Sequence, residues 1–198
     1  MYMTTGRILN IPNILTIARI ILIPVFLIIA YWPPALGVTD VQADITFRHA
    51  LLTAIFILAA VTDWFDGFLA RALNQTSAFG RFLDPVADKL MVAAALVVLV
   101  QWKPTITMAF AGIVIISREI TVSALREWMA ELGARTNVAV STVGKYKTAF
   151  QMIAISVFLL NWQPLNILAY ILLYMAVFLT LWSMIIYLRA AWPYLKQP

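Results

Sequence analysis

From residue 148 to residue 188 the chain carries no charged side chain. A membrane-spanning helix needs only about 20 mostly apolar residues, so this run is too long for one helix. Asn161, Trp162, Gln163 and Pro164 interrupt it, and polar turn residues next to a proline end helices. It therefore reads as two spans. Other apolar runs raise the number to six, at about 13–32, 48–71, 81–101, 105–130, 142–160 and 165–188. Asn13, just after Pro12, is the expected N-cap of the first. Residues 1–12 read as a short, weakly amphipathic segment at the membrane interface. They lack a signal-peptide cleavage site and the arginine-rich composition of a transit sequence. The expected fold class is all-α: a polytopic membrane protein, with residues 1–198 as a single membrane domain.

Composition agrees. Hydrophobic residues make up 63% and charged residues 12%, against about 45–50% and about 25% in soluble domains. A soluble enzyme, a disordered chain and a nucleic-acid-binding module are excluded as primary readings. The absence of cysteine removes disulfides, thiolate metal sites and cysteine nucleophiles. The net charge of +5 fits basic residues gathered on the cytoplasmic side. With the N-terminus inside, only Arg48 and Lys103 fall in outer loops, and both termini are expected in the cytoplasm.

Four acids stand where lipid should exclude them. Asp63 and Asp66 close the second span, and Asp84 and Asp88 open the third. On helices, Asp63 and Asp66 lie about 60° apart and share a face with Gly67 and Ala70, and Asp84 and Asp88 lie about 40° apart. A short link joins the two helices at their inner ends, so the four carboxylates are expected to converge there. An ionised carboxylate at the centre of a membrane helix costs about 2.5–3.5 kcal/mol or more, and a multivalent cation neutralises such a cluster well. Oxygen-only ligation suits Mg²⁺, Mn²⁺ or Ca²⁺ rather than zinc or copper. Two divalent ions about 3.5–4 Å apart are the usual arrangement for phosphoryl displacement. Gly67 and Ala70 leave room for a flat ligand, and Arg71 and Arg81 offer charge for phosphate. Either pair alone reads equally as a helix end reaching water, or as a start with Asp84 as N-cap before Pro85.

The pattern Asp63-x2-Asp66-Gly67-x2-Ala70-Arg71-x8-Gly80-x3-Asp84-x3-Asp88 resembles, position for position, the signature of the CDP-alcohol phosphatidyltransferase family. That resemblance implies a six-helix membrane enzyme, usually a homodimer, that passes a substituted phosphate from a CDP-linked donor to an alcohol and releases CMP. It implies that Asp63, Asp66, Asp84 and Asp88 hold metal, two ions of Mg²⁺ or Mn²⁺. It also implies that Asp88 is the catalytic base, and that Gly67, Ala70, Arg71 and Gly80 line the CDP pocket.

Further stretches are similar to family members whose acceptor is glycerol 3-phosphate. They include Asn10-Ile11-Pro12, Leu15-Thr16, Arg19, Ser117-Arg118-Glu119-Ile120, residues 124–133, Val138-Ala139-Val140-Ser141, Gly144-Lys145, Lys147-Thr148 and Leu181-Trp182-Ser183-Met184. The implied donor is CDP-diacylglycerol, and the implied products are phosphatidylglycerol phosphate and CMP. A dianionic acceptor needs cations, for which Arg118, Lys145 and Lys147 are the candidates. Lys147, with Arg135, Arg189 and Lys196, reads more readily as a side chain snorkelling to the inner surface. Glu127 is expected to hold Arg126 in place. Tyr31, Trp32, Trp102, Trp162, Tyr187 and Trp192 read as interfacial anchors. The competing readings are inositol phosphate or phosphatidylglycerol as acceptor and, from another class, a cation transporter. The expected location is a bacterial cytoplasmic (inner) membrane, with the active site at its cytoplasmic face.

Overall fold

The computed structural model describes residues 11–33, 41–72, 78–133 and 142–195. They form six helices: α1 (Ile11–Tyr31), α2 (Val41–Ala72), α3 (Ala78–Trp102), α4 (Ile106–Glu131), α5 (Thr142–Leu160) and α6 (Asn166–Leu195), with a 3₁₀ turn at Gln163–Leu165. Asn13–Tyr31, Gln42–Asp63, Ile106–Glu131 and Gln163–Tyr194 are long and apolar enough to cross a membrane. The apolar part of α5, Tyr146–Leu160, is shorter, and α3 carries Arg81, Asp84, Asp88 and Lys89 in its first half. The chain is an all-α polytopic membrane protein.

Several boundaries move. α2 begins at Val41, so residues 41–47, expected to lie between the first two spans, are helix. Asp44 sits in its first turn, where an acid suits the helix dipole, and pairs with Arg48 at 3.1 Å across one turn. At 32 residues α2 is about 48 Å long, so its polar ends outreach a hydrocarbon layer of about 30 Å. Asn13 is not a cap: α1 starts at Ile11, and Asn13 is buried within it. Likewise Asp84 does not start a helix, because α3 begins at Ala78 and carries Pro85 inside. Of the expected interfacial segment only Ile11 and Pro12 are among the described residues, and they belong to α1.

The chain divides into two compact units, 1–98 with 159–161 and 99–158 with 162–198. In the first, α1 and α2 run antiparallel. Arg48 donates to the Trp32 carbonyl at one end, and Arg19 meets Asp63 at the other. Phe26 and Ala30 of α1 and Leu52, Ile55, Phe56 and Ala59 of α2 are buried. His49, half-buried on α2, is held at 2.9 Å through Nδ1 to the Leu159 carbonyl. Arg48 and Asp63 are about 22 Å apart along α2, less than the hydrocarbon thickness of about 30 Å. A bilayer with Arg48 at one surface therefore holds Asp63 inside its apolar layer.

In the second unit α4 and α6 lie parallel, packing Val122, Met129, Tyr187 and Ala191 with Leu125, Trp128 and Tyr194. Thr105 caps α4, its hydroxyl accepting from the Met108 amide at 3.2 Å. Gly133 closes the helix at φ +72, the left-handed geometry that a glycine takes without strain. The Phe158 and Tyr170 rings meet edge to face at 4.9 Å. On α6 small or hydroxylated residues, Ala169, Ala176, Thr180 and Ser183, are buried beside Leu173 and Val177, while Ile167, Ile171, Phe178 and Ile185 face outward. Small and hydroxylated residues allow close helix approach in lipid, where large apolar groups gain nothing from burial.

The turn after α5 places Asn161 at φ 53. Asparagine tolerates this conformation, and a β-branched residue does not. Asn161→Gly is expected to leave stability nearly unchanged, and Asn161→Val to lower it by about 1–2 kcal/mol, as read by denaturant unfolding in detergent micelles.

Candidate active site

Two of the expected carboxylates meet on α1. Arg19 Nη1 donates to Asp63 Oδ1 at 2.7 Å, and the Thr16 hydroxyl donates to Asp84 Oδ1 at 2.5 Å. Arg19 is only 1% exposed and Thr16 is fully buried, while the Asp63 side chain remains 42% exposed. The helical stretch that carries these donors is otherwise apolar, with Asn13, Thr16 and Arg19 forming one buried polar stripe at three-residue spacing. α1 thus joins a carboxylate of α2 to a carboxylate of α3. Asp88 lies one turn beyond Asp84 on α3, half-buried, and Gly80 is buried near the start of the same helix.

Asp66, Gly67, Ala70 and Arg71 belong to the last turns of α2, and Arg81 to the first turn of α3. Their side chains lie outside the described residues, so convergence of all four aspartates is not on view. The carboxylates that are described offer oxygen donors only. Asp63 and Asp84 each have Oδ1 engaged by α1, and Oδ2 accepts no hydrogen bond among the described residues. A donor set of this kind fits a hard divalent cation such as Mg²⁺ or Mn²⁺.

The second unit gathers cations around one carboxylate. Arg118, 7% exposed, donates to the Ser183 hydroxyl at 2.9 Å and to Glu119 Oε1 at 3.2 Å. Lys147, 4% exposed, donates to the same Glu119 oxygen. Lys147 is therefore not a snorkelling surface residue. Burial without a partner would be costly for its ammonium, and Glu119 supplies the counter-charge. Two cations share one anion, which leaves the trio with a net positive charge. Lys145 lies on α5 with its side chain outside the described residues, as does the whole of Arg135.

Tyr187 corrects an expectation. It is buried rather than an interfacial anchor. The Arg118 guanidinium lies 5.4 Å and that of Arg126 4.9 Å from its ring centroid, within reach of cation–π attraction. Arg126 also donates to the Tyr187 hydroxyl, so it turns to α6 rather than to Glu127. By contrast Tyr31, Trp32, Trp162 and Trp192 are well exposed, as anchors should be. Thr16, Arg19, Ser183 and Tyr187 were not singled out for the site by the reading of single residues. The available signal was a polar stripe inside an apolar helix, which lipid disfavours unless the groups are used.

Comparison with known proteins decides the family. The model of CDP-alcohol phosphatidyltransferases matches residues 9–182. The chain belongs to the CDP-alcohol phosphatidyltransferase family. As a member of that family it is an enzyme, a phosphatidyltransferase. Several relatives, 46–51% identical, bear the name CDP-diacylglycerol–glycerol-3-phosphate 3-phosphatidyltransferase, and three of them follow. The one from Haemophilus influenzae is 51% identical over 183 residues, covering 92% of this chain and 93% of its own. The one from Pseudomonas fluorescens is 48% identical, covering 95% and 93%. The one from Pectobacterium atrosepticum is 48% identical, covering 96% and 98%. The match includes α1 and both aspartate pairs. Ser183 and Tyr187 lie just beyond the span of the family model.

Proposed function

We infer that this phosphatidyltransferase moves the phosphatidyl group of CDP-diacylglycerol to glycerol 3-phosphate, giving phosphatidylglycerol phosphate and CMP in phospholipid biosynthesis. The reading is carried by relatives of that name at 46–51% identity along nearly the whole chain. It is supported by the two carboxylates that α1 gathers.

Asp63, Asp66, Asp84 and Asp88 would hold Mg²⁺ or Mn²⁺, two ions per site. When bound, divalent cations neutralise the donor pyrophosphate and the charge on departing CMP. Gly67, Ala70 and Gly80 leave space for the cytidine, Arg71 binds phosphate, and the acyl chains remain in lipid. Arg118, Lys145 and Lys147 bind the phosphate of glycerol 3-phosphate. Asp88 takes the proton of the acceptor's primary hydroxyl as its oxygen attacks the phosphorus bearing diacylglycerol. The bond from that phosphorus to the CMP oxygen breaks, and CMP leaves. Attack is direct, with inversion at phosphorus; retention at a chirally labelled phosphorus overturns this step. The enzyme works as a homodimer in a bacterial inner membrane, with both termini and the active site on the cytoplasmic side.

The test is CMP release from CDP-diacylglycerol by purified protein in mixed micelles. Release is expected to require both Mg²⁺ and glycerol 3-phosphate. Release with inositol phosphate instead would retain the aspartate site and overturn the acceptor assignment. Ion flux in liposomes without any CMP release would return the transporter reading.

A further inference from the structure

Asp63 and Asp84 come from different helices, yet each meets α1 through its Oδ1. Their donors are three residues apart, neighbours on one helix face with Cβ atoms about 5–6 Å apart. Both donors are buried, so neither swings out to water and back as an exposed side chain does. The two differ in charge. Thr16 is neutral, and Arg19 is a cation.

We propose that α1 is the positioning element of the aspartate site, with Thr16 locking the orientation of Asp84 and Arg19 serving as a built-in counter-cation to Asp63. This rests on the reading of the aspartates as a divalent-cation site. A neutral donor on Oδ1 aims Oδ2 without opposing an incoming cation, so Thr16 raises divalent affinity, as outer hydrogen bonds to metal ligands do. A guanidinium beside Asp63 also orients it, but repels a divalent ion at short range. What Arg19 contributes instead is tolerance of the carboxylates themselves. In an apolar layer their desolvation and mutual repulsion are unfavourable, and one fixed positive charge offsets part of both. Two residues one turn apart therefore carry opposite signatures toward the cation.

The experiment uses the full chain in detergent micelles with Mn²⁺ as probe. Binding is read by electron paramagnetic resonance, and thermal unfolding is followed in chelator and in Mn²⁺. Thr16→Val, matched in size, is expected to weaken Mn²⁺ binding by about 10-fold or more with little change in unfolding temperature in chelator. Thr16→Ser should restore binding. Arg19→Gln should unfold at lower temperature in chelator and show a larger Mn²⁺-induced rise than the wild type, with Arg19→Lys behaving more like the wild type. Wild-type Mn²⁺ affinity in Thr16→Val overturns the proposal, as does a Mn²⁺-induced rise in Arg19→Gln no larger than that of the wild type. If Arg19→Gln does not fold, the Thr16 pair decides. A wild-type enzyme that releases CMP but binds no Mn²⁺ or Mg²⁺ sinks the metal reading underneath, before any substitution is compared.

Discussion

Asp88→Asn is expected to lower kcat by about 10²–10⁴-fold, the range that a general base contributes. Asparagine keeps the size of the side chain and one oxygen donor, but it does not take up the acceptor proton. Binding of CDP-diacylglycerol should therefore survive. The measurement is a pair: CMP release for turnover, and equilibrium binding of labelled CDP-diacylglycerol. Near-normal turnover would remove Asp88 from the role of base. Loss of binding together with turnover would make its carboxylate a holder of the donor site rather than the base. Asp88 stands on the helical continuation of Asp84, one turn from a carboxylate that α1 holds, so the substitution acts on a group whose neighbour is fixed.

Arg118→Ala should raise KM for glycerol 3-phosphate by 10-fold or more, the cost of losing one charge-assisted hydrogen bond of about 1.5–3 kcal/mol. KM for CDP-diacylglycerol should change little. Stability should also fall modestly, because Ser183 and Glu119 both lose a donor while Lys147 still pairs with Glu119. The KM split separates the two roles. Arg118→Lys keeps the charge without the planar fork, and it should recover part of the acceptor KM. Equal effects on both substrates would make Arg118 a structural tie between α4 and α6, and nothing more.

The carboxylate pairs and the apolar spans were legible because each departs sharply from what its surroundings tolerate. A charge in a lipid-length helix is conspicuous in one dimension, and aspartates at i, i+3 and i, i+4 state their own geometry. Helix ends were less legible. α2 starts seven residues before the expected span because Asp44 and Arg48 support helix in water as well as apolar residues do in lipid. Asn13 was misread for a related reason: a good N-cap residue is also a good buried polar group, and only the position of the helix start distinguishes them. Lys147 looked like any basic residue at a helix end, and its burial against Glu119 depends on where α4 and α5 meet.

The sequence by itself determined that the chain spans a membrane, where its intramembrane aspartates stand, and which family it resembles. The first two follow from composition and from spacing within single helices, and the third from the resemblance of the aspartate pattern, which the match over residues 9–182 bears out. The tertiary structure decided which side chains serve those aspartates. It set Thr16 on Asp84 and Arg19 on Asp63, Glu119 between Arg118 and Lys147, and Tyr187 under two guanidinium groups. It also decided which face of α6 is buried. That helix is apolar all round, so in lipid no hydrophobic preference distinguishes one face from another. Close packing of small residues and the hydrogen bonds of Ser183 and Tyr187 select the face, and those depend on partners far away in the chain.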